Sequence, residues 1–467
     1  MIFTNISLNV STKINSPVKK LLFISANRYA IPYPVYPLGI SYLYAFLREK
    51  LPDYTIKIFD SNLHAPGTLH DFLVDFNPDY IALSLRNIDD VNSYTRESFI
   101  SGYKVITDSI RQVTRVPLII GGSAFSIYPR ELFAFLQPDY GIHGEGEESI
   151  YRLLMSLDSG TPDLGIDGLV YRDADKIVVN NRKHFINTPN LGFDKELLGF
   201  YWDKAGMVNV QTKRGCPYNC IYCTYQLIEG HNVRTLDPEK IVHTLQDLYE
   251  NYQVDYVFFT DSVFNISNAF NTELAHKLIA SKLPMHWGAY FSPHNLSLDN
   301  LKLFVEAGLT HVEFGTESLS DKVLRSYGKH FDVDEVVRIS DYCNQAGVYF
   351  CHFMIIGGYG ETEATVNESF ENSKRIENTV FFPFVGMRIY PGTHLQQIAI
   401  EEGIIHADDN LLEPVYYLAP GIRYDTLRER AEQTGRRWVF PDEDMAGIMN
   451  RLRGKKRKGS LWHYLKK

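Results

Sequence analysis

Three cysteines lie close together in the chain and could hold a metal group. They are Cys216, Cys220 and Cys223, in the segment Lys213–Tyr225. A closed tetrahedral zinc site needs four ligands, and the nearest further cysteine or histidine, His231, lies beyond this segment. A four-iron cluster held by three thiolates instead leaves one iron open to another ligand. The spacing therefore favours a cluster that passes an electron to a bound molecule, with a partial zinc site or three unrelated buried thiols as alternatives.

The residues around these cysteines carry a resemblance. Tyr222 precedes the third cysteine, the strand-like Met207–Val210 precedes the first, and Lys213–Gly215 forms the turn between them. This arrangement resembles the signature of the radical S-adenosylmethionine (radical SAM) superfamily. The resemblance implies a [4Fe-4S] cluster on the three cysteines, S-adenosylmethionine bound at the open iron, and an electron donor such as flavodoxin or ferredoxin.

Strand-like and helical segments alternate after the cysteine motif. With the strand before Cys216, six parallel βα units are expected, which predicts a partial (β/α)6 TIM-like barrel with its site at the C-terminal mouth. The predicted strands are Tyr256–Thr260, His286–Phe291, His311–Gly315, Tyr349–Ile356 and Phe384–Ile389. The predicted helices are Asp237–Asn251, Asn268–Ser281, Ser297–Glu306, Val333–Ala346 and Glu363–Ile376.

The ends of these predicted strands carry the candidate residues for S-adenosylmethionine. The resemblance implies that Asp261 contacts the amino group, since a carboxylate suits an ammonium, and that Glu317 accepts from the ribose hydroxyls. Taken singly, each carboxylate is better explained as a cap or an ion pair, but their shared position favours a site. The full candidate set is Tyr222, Asp261, Glu317, Gly357, Gly358, Arg388 and Tyr390. No catalytic residue is identified from the sequence.

The chain before the motif has its own alternation of strands and helices. This pattern predicts a doubly wound, Rossmann-like sheet with ligands at the C-terminal ends of its strands. The loops at those ends resemble the cobalamin-binding domain that precedes the radical domain in one large subgroup of the superfamily. The implied cobalamin-binding residues are Pro37, Leu38, Arg86, Asn87, Gly121, Gly122, Ser123, Gly144 and Glu145.

One feature of other cobalamin proteins is missing. Their D-x-H-x-x-G motif supplies a histidine to cobalt, whereas Asp60–His64 has a different spacing and follows the second strand. The resemblance therefore implies cobalamin without a histidine ligand from that motif. The alternative is a Rossmann-like domain that has lost its ligand or binds a nucleotide; a nicotinamide is disfavoured because no G-x-G-x-x-G follows the first strand.

Length and composition set the outer limits. The 467 residues predict two or three domains, with boundaries at 1–155 (cobalamin-binding), 156–204 (connector, with a hairpin at Asp167–Asp175), 205–399 (radical SAM core) and 400–467 (helical, with a basic tail). The net charge of −9 gives no reason to expect nucleic acid. No apolar run reaches the roughly 18 residues of a membrane span, and the scarcity of other cysteines favours a cytoplasmic protein. The tail Arg451–Lys467 is interpreted as a solvated terminus, with weak contact to a membrane surface as the alternative.

The combination predicts a cobalamin-dependent radical SAM enzyme that methylates an unactivated carbon of a small-molecule or lipid substrate. The alternative is an oxidative cyclase or a C–C coupling enzyme of lipid, pigment or natural-product biosynthesis that uses cobalamin without methyl transfer. A tRNA methylthiotransferase would need a second cysteine triplet, and only Cys343 and Cys351 remain. A cobalamin carrier or sensor would need neither the barrel nor the cluster loop.

Overall fold

The computed structural model describes residues 18–186, 190–453 and 458–466. This part of the chain contains two mainly parallel sheets, each covered by helices. None of its helices has the length and apolar composition of a bilayer-spanning segment. The α/β fold class predicted from the sequence is confirmed.

The first sheet is doubly wound, as predicted. Its described strands pair in the order β2-β1-β3-β4-β5-β6-β7; β1 to β5 are parallel, and β6 and β7 form an antiparallel hairpin on the β5 edge. The predicted connector hairpin therefore extends the first sheet. The strands are β1 (Lys19–Ser25), β2 (Tyr54–Asp60), β3 (Tyr80–Ser84), β4 (Leu118–Gly121), β5 (Tyr140–Ile142), β6 (Leu169–Asp173) and β7 (Lys176–Val179).

Helices cover both faces of this sheet. Both faces of β1 are therefore apolar, and Leu21–Ile24 is a continuous buried run rather than an alternating one. The helices are α1 (Leu38–Lys50), α2 (Leu69–Phe76), α3 (Ile100–Val113), α4 (Ser123–Ile127), α5 (Pro129–Leu136) and α6 (Glu147–Asp158), and α7 (Lys195–Ala205) leads to the second sheet.

The second sheet is the partial barrel. Its described strands are all parallel, in the order β18-β15-β14-β13-β12-β11-β8. The short β18 was not predicted, and β15 begins earlier than the predicted sixth strand. Residues Met387–Arg388 pair antiparallel with Tyr416–Tyr417 instead of continuing β15. The barrel strands are β8 (Val208–Val210), β11 (Tyr256–Phe259), β12 (His286–Phe291), β13 (Leu309–Glu317), β14 (Tyr349–Ile356), β15 (Thr379–Val385) and β18 (Arg437–Trp438); two small ladders join β9 (Lys213–Arg214) to β10 (Arg234–Thr235) and β16 (Met387–Arg388) to β17 (Tyr416–Tyr417).

The helices around the barrel begin and end close to their predicted bounds. Their N-caps explain this agreement: Asp332, for example, accepts from the backbone N–H of Glu335 at 2.8 Å and starts α13 where the apolar periodicity starts. The helices are α8 (Tyr225–Glu229), α9 (Pro238–Tyr252), α10 (Asn268–Ser281), α11 (Leu298–Glu306), α12 (Asp321–Ser326), α13 (Val333–Ala346), α14 (Glu363–Ser373), α15 (His394–Glu401), α16 (Leu427–Gln433) and α17 (Met445–Arg453).

The described end of the chain is packed, which corrects the interpretation of a solvated tail. Residues 458–466 lie across the N-terminal ends of the barrel strands, with Ser460 and Trp462 buried. The Gly459 amide donates to the carbonyl of Gly206, and Lys466 lies 5.1 Å from the ring centre of Tyr349. Residues 454–457 and 467 of the predicted basic tail lie outside the described residues.

Candidate active site

The cysteine loop follows β9 and is held by backbone contacts on both sides. Gly215 has φ +88°, and a Cβ there would lie 2.1 Å from the carbonyl oxygen of Asn232, so only glycine fits this turn. The Cys216 amide donates to the carbonyl of Gly230 at 3.1 Å, and the Ile221 amide donates to the carbonyl of Tyr327 at 3.2 Å. The loop is therefore fixed between two other turns of the barrel.

The three thiols share one environment. Burial raises the pKa of Cys216 and raises that of Cys223 to about 12, and each of these two thiols also interacts electrostatically with the other motif cysteines. Thiolates at this place therefore need a cationic group to stabilise them. Among the described residues no three Cys, His, Asp or Glu side chains gather around one point as a single ion requires, and His231 is exposed. Three thiols on one loop without a fourth ligand fit a four-iron cluster and do not fit a closed zinc site.

Asp261, which was predicted to contact the amino group of S-adenosylmethionine, makes several contacts within the protein. Its side chain is fully buried and pairs with the equally buried Lys213, with Nζ to Oδ2 at 2.7 Å. It also accepts from the backbone amides of Thr212, at 2.7 Å, and Lys213, at 3.2 Å. Both carboxylate oxygens are used inside the protein, where Asp261 anchors the strand before Cys216; its contact with the amino group of S-adenosylmethionine stays a prediction.

Glu317 and Tyr222 meet beside the cysteines. The Tyr222 hydroxyl donates to the Glu317 carboxylate at 2.9 Å, and Lys329 Nζ lies 3.3 Å from the same oxygen. Glu317 has φ +67°, a conformation that costs free energy in a residue other than glycine. Lys329 interacts electrostatically with Cys220 and Cys223 and was not recognised in the sequence. A carboxylate, a phenol and an ammonium thus lie together at the mouth of the barrel, next to the cysteine loop.

Gly357 and Gly358, two of the residues predicted to bind S-adenosylmethionine, pack closely against other parts of the protein. A Cβ at Gly358 would lie 2.2 Å from the Tyr327 hydroxyl, and one at Gly357 would lie 2.7 Å from the ring of Tyr424. The Glu361 carboxylate accepts from the Gly357 amide, and burial raises the pKa of Glu361 to about 7. These contacts explain the glycines without a ligand.

Arg388 joins the two domains and was predicted to bind S-adenosylmethionine. Its Nε lies 2.8 Å from Oδ2 of Asp89 in the first domain, and both side chains are buried. Its Nη atoms donate to the carbonyls of Ile389 and Leu411 and to the Tyr128 hydroxyl. Arg388 is thus committed to these partners. Its guanidinium lies 4.9 Å from the ring centre of Tyr390, which remains a candidate.

A cavity of about 340 Å³ lies at the C-terminal edge of the first sheet. It brings together Pro37, Leu38, Arg86, Gly121, Gly122, Ser123, Gly144 and Glu145, which are eight of the nine predicted cobalamin residues. Asn87 does not line it; its carbonyl accepts from the Tyr103 hydroxyl. The opposite wall is formed by the second domain, through Asn209, Gln211, Arg214, Tyr225, Ile228, Glu229 and Thr260.

Glycine makes the approach of the backbone to this cavity possible. Gly122 has φ +98°, and a Cβ there would lie 2.4 Å from the carbonyl oxygen of Leu85. The cavity lining contains no histidine among the described residues, and His64 instead stacks on Phe59 with ring centres 4.5 Å apart. His64 is therefore not one of the residues that line the cavity. The largely buried guanidinium of Arg86 forms no hydrogen bond within the described chain, so its donors are available to a ligand.

A buried ion network ties the cysteine loop to this cavity. Arg214 Nη2 lies 2.8 Å from the Glu147 carboxylate, and Arg234 Nη2 lies 2.6 Å from Glu145. Burial alone would raise the pKa of Glu147, but its pairing with Arg214 outweighs burial and lowers that pKa. The Arg214 guanidinium also lies 4.5 Å from the ring centre of Tyr42. Apart from the Gly144–Glu147 loop, no sequence pattern predicts these contacts.

Comparisons with known proteins agree with both sites. A family model described as the radical SAM superfamily matches residues 210–372, and one described as a B12 binding domain matches residues 24–154. An uncharacterized methyltransferase of Pyrococcus horikoshii is 25% identical over 379 residues, which cover 79% of each chain. The anaerobic magnesium-protoporphyrin IX monomethyl ester cyclase of Rubrivivax gelatinosus is 25% identical over 266 residues, or 53% of this chain and 47% of its own length.

Among solved structures, the fold is similar to that of the radical S-adenosylmethionine methyltransferase TsrM from Kitasatospora setae. The match has a TM-score of 0.84 at 18% identity and covers 96% of this chain and 97% of the other. That protein was solved with cobalamin and a [4Fe-4S] cluster, and also with tryptophan as substrate and an analogue of S-adenosylmethionine. With its matching domains, its cysteine loop and its interdomain cavity, this chain belongs to the cobalamin-binding radical SAM enzymes.

Proposed function

We propose that this enzyme transfers a methyl group to a carbon atom of a small molecule. The observation that carries the proposal is the cavity between the domains. One wall belongs to the predicted cobalamin site, and the other lies next to the predicted cluster site. Gly121–Ser123 line it from the first sheet, and Gln211, Arg214 and Tyr225 line it from the two sides of the cysteine loop. A corrinoid held there would lie between the first sheet and the barrel mouth.

The cofactors supply the reactive chemistry when bound: the cluster supplies an electron to S-adenosylmethionine, and cobalamin supplies a carrier for the methyl group. The residues of the chain position them. The motif cysteines would hold the cluster, and the guanidinium of Arg86, which forms no hydrogen bond with other described residues, would donate to polar groups of the corrinoid. The ion pair between Arg214 and Glu147 would fix the distance between the two sites.

For S-adenosylmethionine, the group formed by Tyr222, Glu317 and Lys329 is the proposed site. Glu317 would accept from the ribose hydroxyls, and Lys329 would pair with the methionine carboxylate. The support is their position beside Cys220 and Cys223 at the C-terminal end of β13. A small electron carrier such as flavodoxin or ferredoxin would supply the electron, and the support for that is the resemblance of the cysteine motif alone.

The test follows the fate of S-adenosylmethionine. The anaerobically reconstituted enzyme is given S-adenosylmethionine with a deuterated methyl group, hydroxocobalamin and a reductant. Methyl transfer to the corrinoid releases S-adenosylhomocysteine, which is expected even before the substrate is known. An enzyme that forms only 5′-deoxyadenosine, and whose product carries no deuterated methyl group, would contradict the proposal.

A cyclase is the second candidate. The cyclase of Rubrivivax gelatinosus is as similar in identity as the methyltransferase of Pyrococcus horikoshii, over a shorter stretch. A cyclase would consume S-adenosylmethionine by the radical route and release no S-adenosylhomocysteine. The same assay therefore separates the two candidates.

A further inference from the structure

On the described strands β12, β14 and β15, the inner face of the barrel is partly accessible in its C-terminal half. Side chains alternate along each strand, so one set packs on the outer helices and the other faces the lumen. The helix-facing set is buried throughout, whereas the lumen set is partly exposed near the C-terminal strand ends. These accessible lumen residues are Tyr290, Phe353, Ile355, Phe382 and Phe384. The lumen walls are therefore aromatic and apolar, as in sites for flat organic ligands.

The terminal segment 458–466 forms the floor of this lumen. Ser460 and Trp462 are buried below the aromatic walls, and Trp462 packs with Cys351 and Phe353. The first domain contributes Tyr33, which packs against Tyr256 and Phe258. The lumen is thus closed below and open towards the mouth, where the cysteine loop lies.

One carboxylate lies at the bottom of this chamber. Glu313 on β13 is only 5% exposed, and its Oε1 accepts from Ser460 Oγ at 3.1 Å and from Trp462 Nε1 at 3.0 Å. Within the described residues its Oε2 accepts no hydrogen bond, and no cation lies within ion-pair distance. Desolvation raises the pKa of Glu313 to about 7. A ligand that donates a hydrogen bond to Oε2 would stabilise the charged form of this carboxylate.

Three uncharged side chains lie near Glu313. Tyr33, Tyr290 and Cys351 interact electrostatically with it, and all three are neutral near pH 7 because burial raises their pKa values. The hydroxyls of Tyr33 and Tyr290 form no hydrogen bond within the described chain. Above its pKa, Glu313 therefore adds one negative charge to two phenols; the cations nearest these neighbours are Arg86, which interacts with Tyr290, and Lys466, which interacts with Cys351.

We infer that the lumen binds a small molecule with a flat apolar body and a basic amine, and that Glu313 accepts a hydrogen bond from that amine. The inference rests on the proposed function, because it names the class of substrate that the enzyme would methylate. The aromatic side chains would enclose the apolar body near the mouth, and the amine would point to the floor. A carboxylate that neutral donors alone contact favours a cation over an alcohol or an acid of the same shape.

The experiment compares three probes with the same ring: tryptamine, the alcohol tryptophol and indole-3-acetate. Binding to the reconstituted full-length enzyme is measured by calorimetry at pH 8, above the pKa of Glu313. A charge-assisted hydrogen bond predicts that tryptamine binds roughly tenfold or more tightly than tryptophol, with indole-3-acetate weakest. Equal affinities for the three probes would overturn the inference, whether or not any variant folds.

Two variants then assign the preference to the carboxylate. Glu313→Gln keeps the shape and removes the charge, so the ratio between tryptamine and tryptophol should fall towards one. Trp462→Phe removes one donor to Oε1 but keeps the carboxylate and the floor, so the ratio should persist. A ratio that Glu313→Gln leaves unchanged would mean that Glu313 only anchors the terminal segment. Release of S-adenosylhomocysteine is measured in parallel with the unmodified enzyme. If that enzyme releases none, the result counts against the proposed function and not against this inference.

Discussion

The ion pair between Lys213 and Asp261 is expected to hold the cysteine loop in place. Both side chains are fully buried, and Asp261 also accepts from two backbone amides in the strand that precedes the motif. The variant Asp261→Asn keeps the shape and most acceptors but leaves the Lys213 ammonium without its counter-charge. Removing one partner of a buried pair costs about 3–5 kcal/mol.

This cost has a measurable size. With a guanidinium slope of about 4 kcal/mol per molar, it lowers the midpoint of unfolding by roughly 1 M. Since Lys213 lies three residues before Cys216, we also expect a loosened loop that retains roughly half or less of its iron after reconstitution. Unfolding is followed by circular dichroism, and iron by a chelator assay.

The matched control is an exposed pair of the same chemistry. Lys277 and Glu239 lie 2.8 Å apart on the surface, so Glu239→Gln should change neither the midpoint nor the iron content. The reasoning would be refuted if Asp261→Asn kept both values and lost only affinity for S-adenosylmethionine. That result would support the ammonium contact that the sequence predicted for Asp261.

Three further outcomes are expected. Replacing the motif cysteines together with alanine should abolish the brown chromophore and iron binding, whereas Cys343→Ala, in the core, should keep both. Burial raises the pKa of Glu361 from its ordinary 4.5 to about 7, so its contribution to stability is present below pH 4.5 and is lost as the pH rises through 7. At pH 8 this loss is about 3 kcal/mol, and Glu361→Gln should remove it. The measurement compares the unfolding midpoints of the two proteins between pH 5 and 8. Arg388→Met leaves the buried Asp89 unpaired and should lower the free energy of unfolding by about 3–5 kcal/mol. Amide hydrogen exchange should become faster in the loop around Asp89 and stay unchanged in the helix Asn268–Ser281. That result would show that the contact between the domains is lost.

Local patterns explain how much of the fold could be predicted. The helices Asn268–Ser281 and Val333–Ala346 were predicted residue for residue, because a capping side chain and apolar periodicity begin at the same place. The four predicted cobalamin loops with residues that line the cavity follow the same logic, since parallel strands end at one edge of a sheet. The strand β18 was missed, because two residues carry no periodicity.

Contacts between distant parts of the sequence could not be predicted in this way, and Arg388 is an example. Arg388 lies 299 positions from Asp89 in the sequence, and their ion pair decides what Arg388 does. A strand-end position predicts that a side chain is near the site; it does not show whether its hydrogen bonds are already taken. Lys329 illustrates the reverse case, since nothing in its neighbours predicts that it lies beside Glu317 and the cysteines.

The terminal segment shows why composition can mislead about function. Its lysines predict solvation, but Ser460 and Trp462 bind Glu313, and burial of the indole is one of the contacts that offset the cost of ordering the segment. The barrel strands alone would leave their N-terminal ends, and the carboxylate, open to water. A chamber that excludes water is what protects a reactive radical from side reactions. The floor formed by the end of the chain, and Tyr33 brought by its beginning, therefore make the lumen suitable for the chemistry at its mouth.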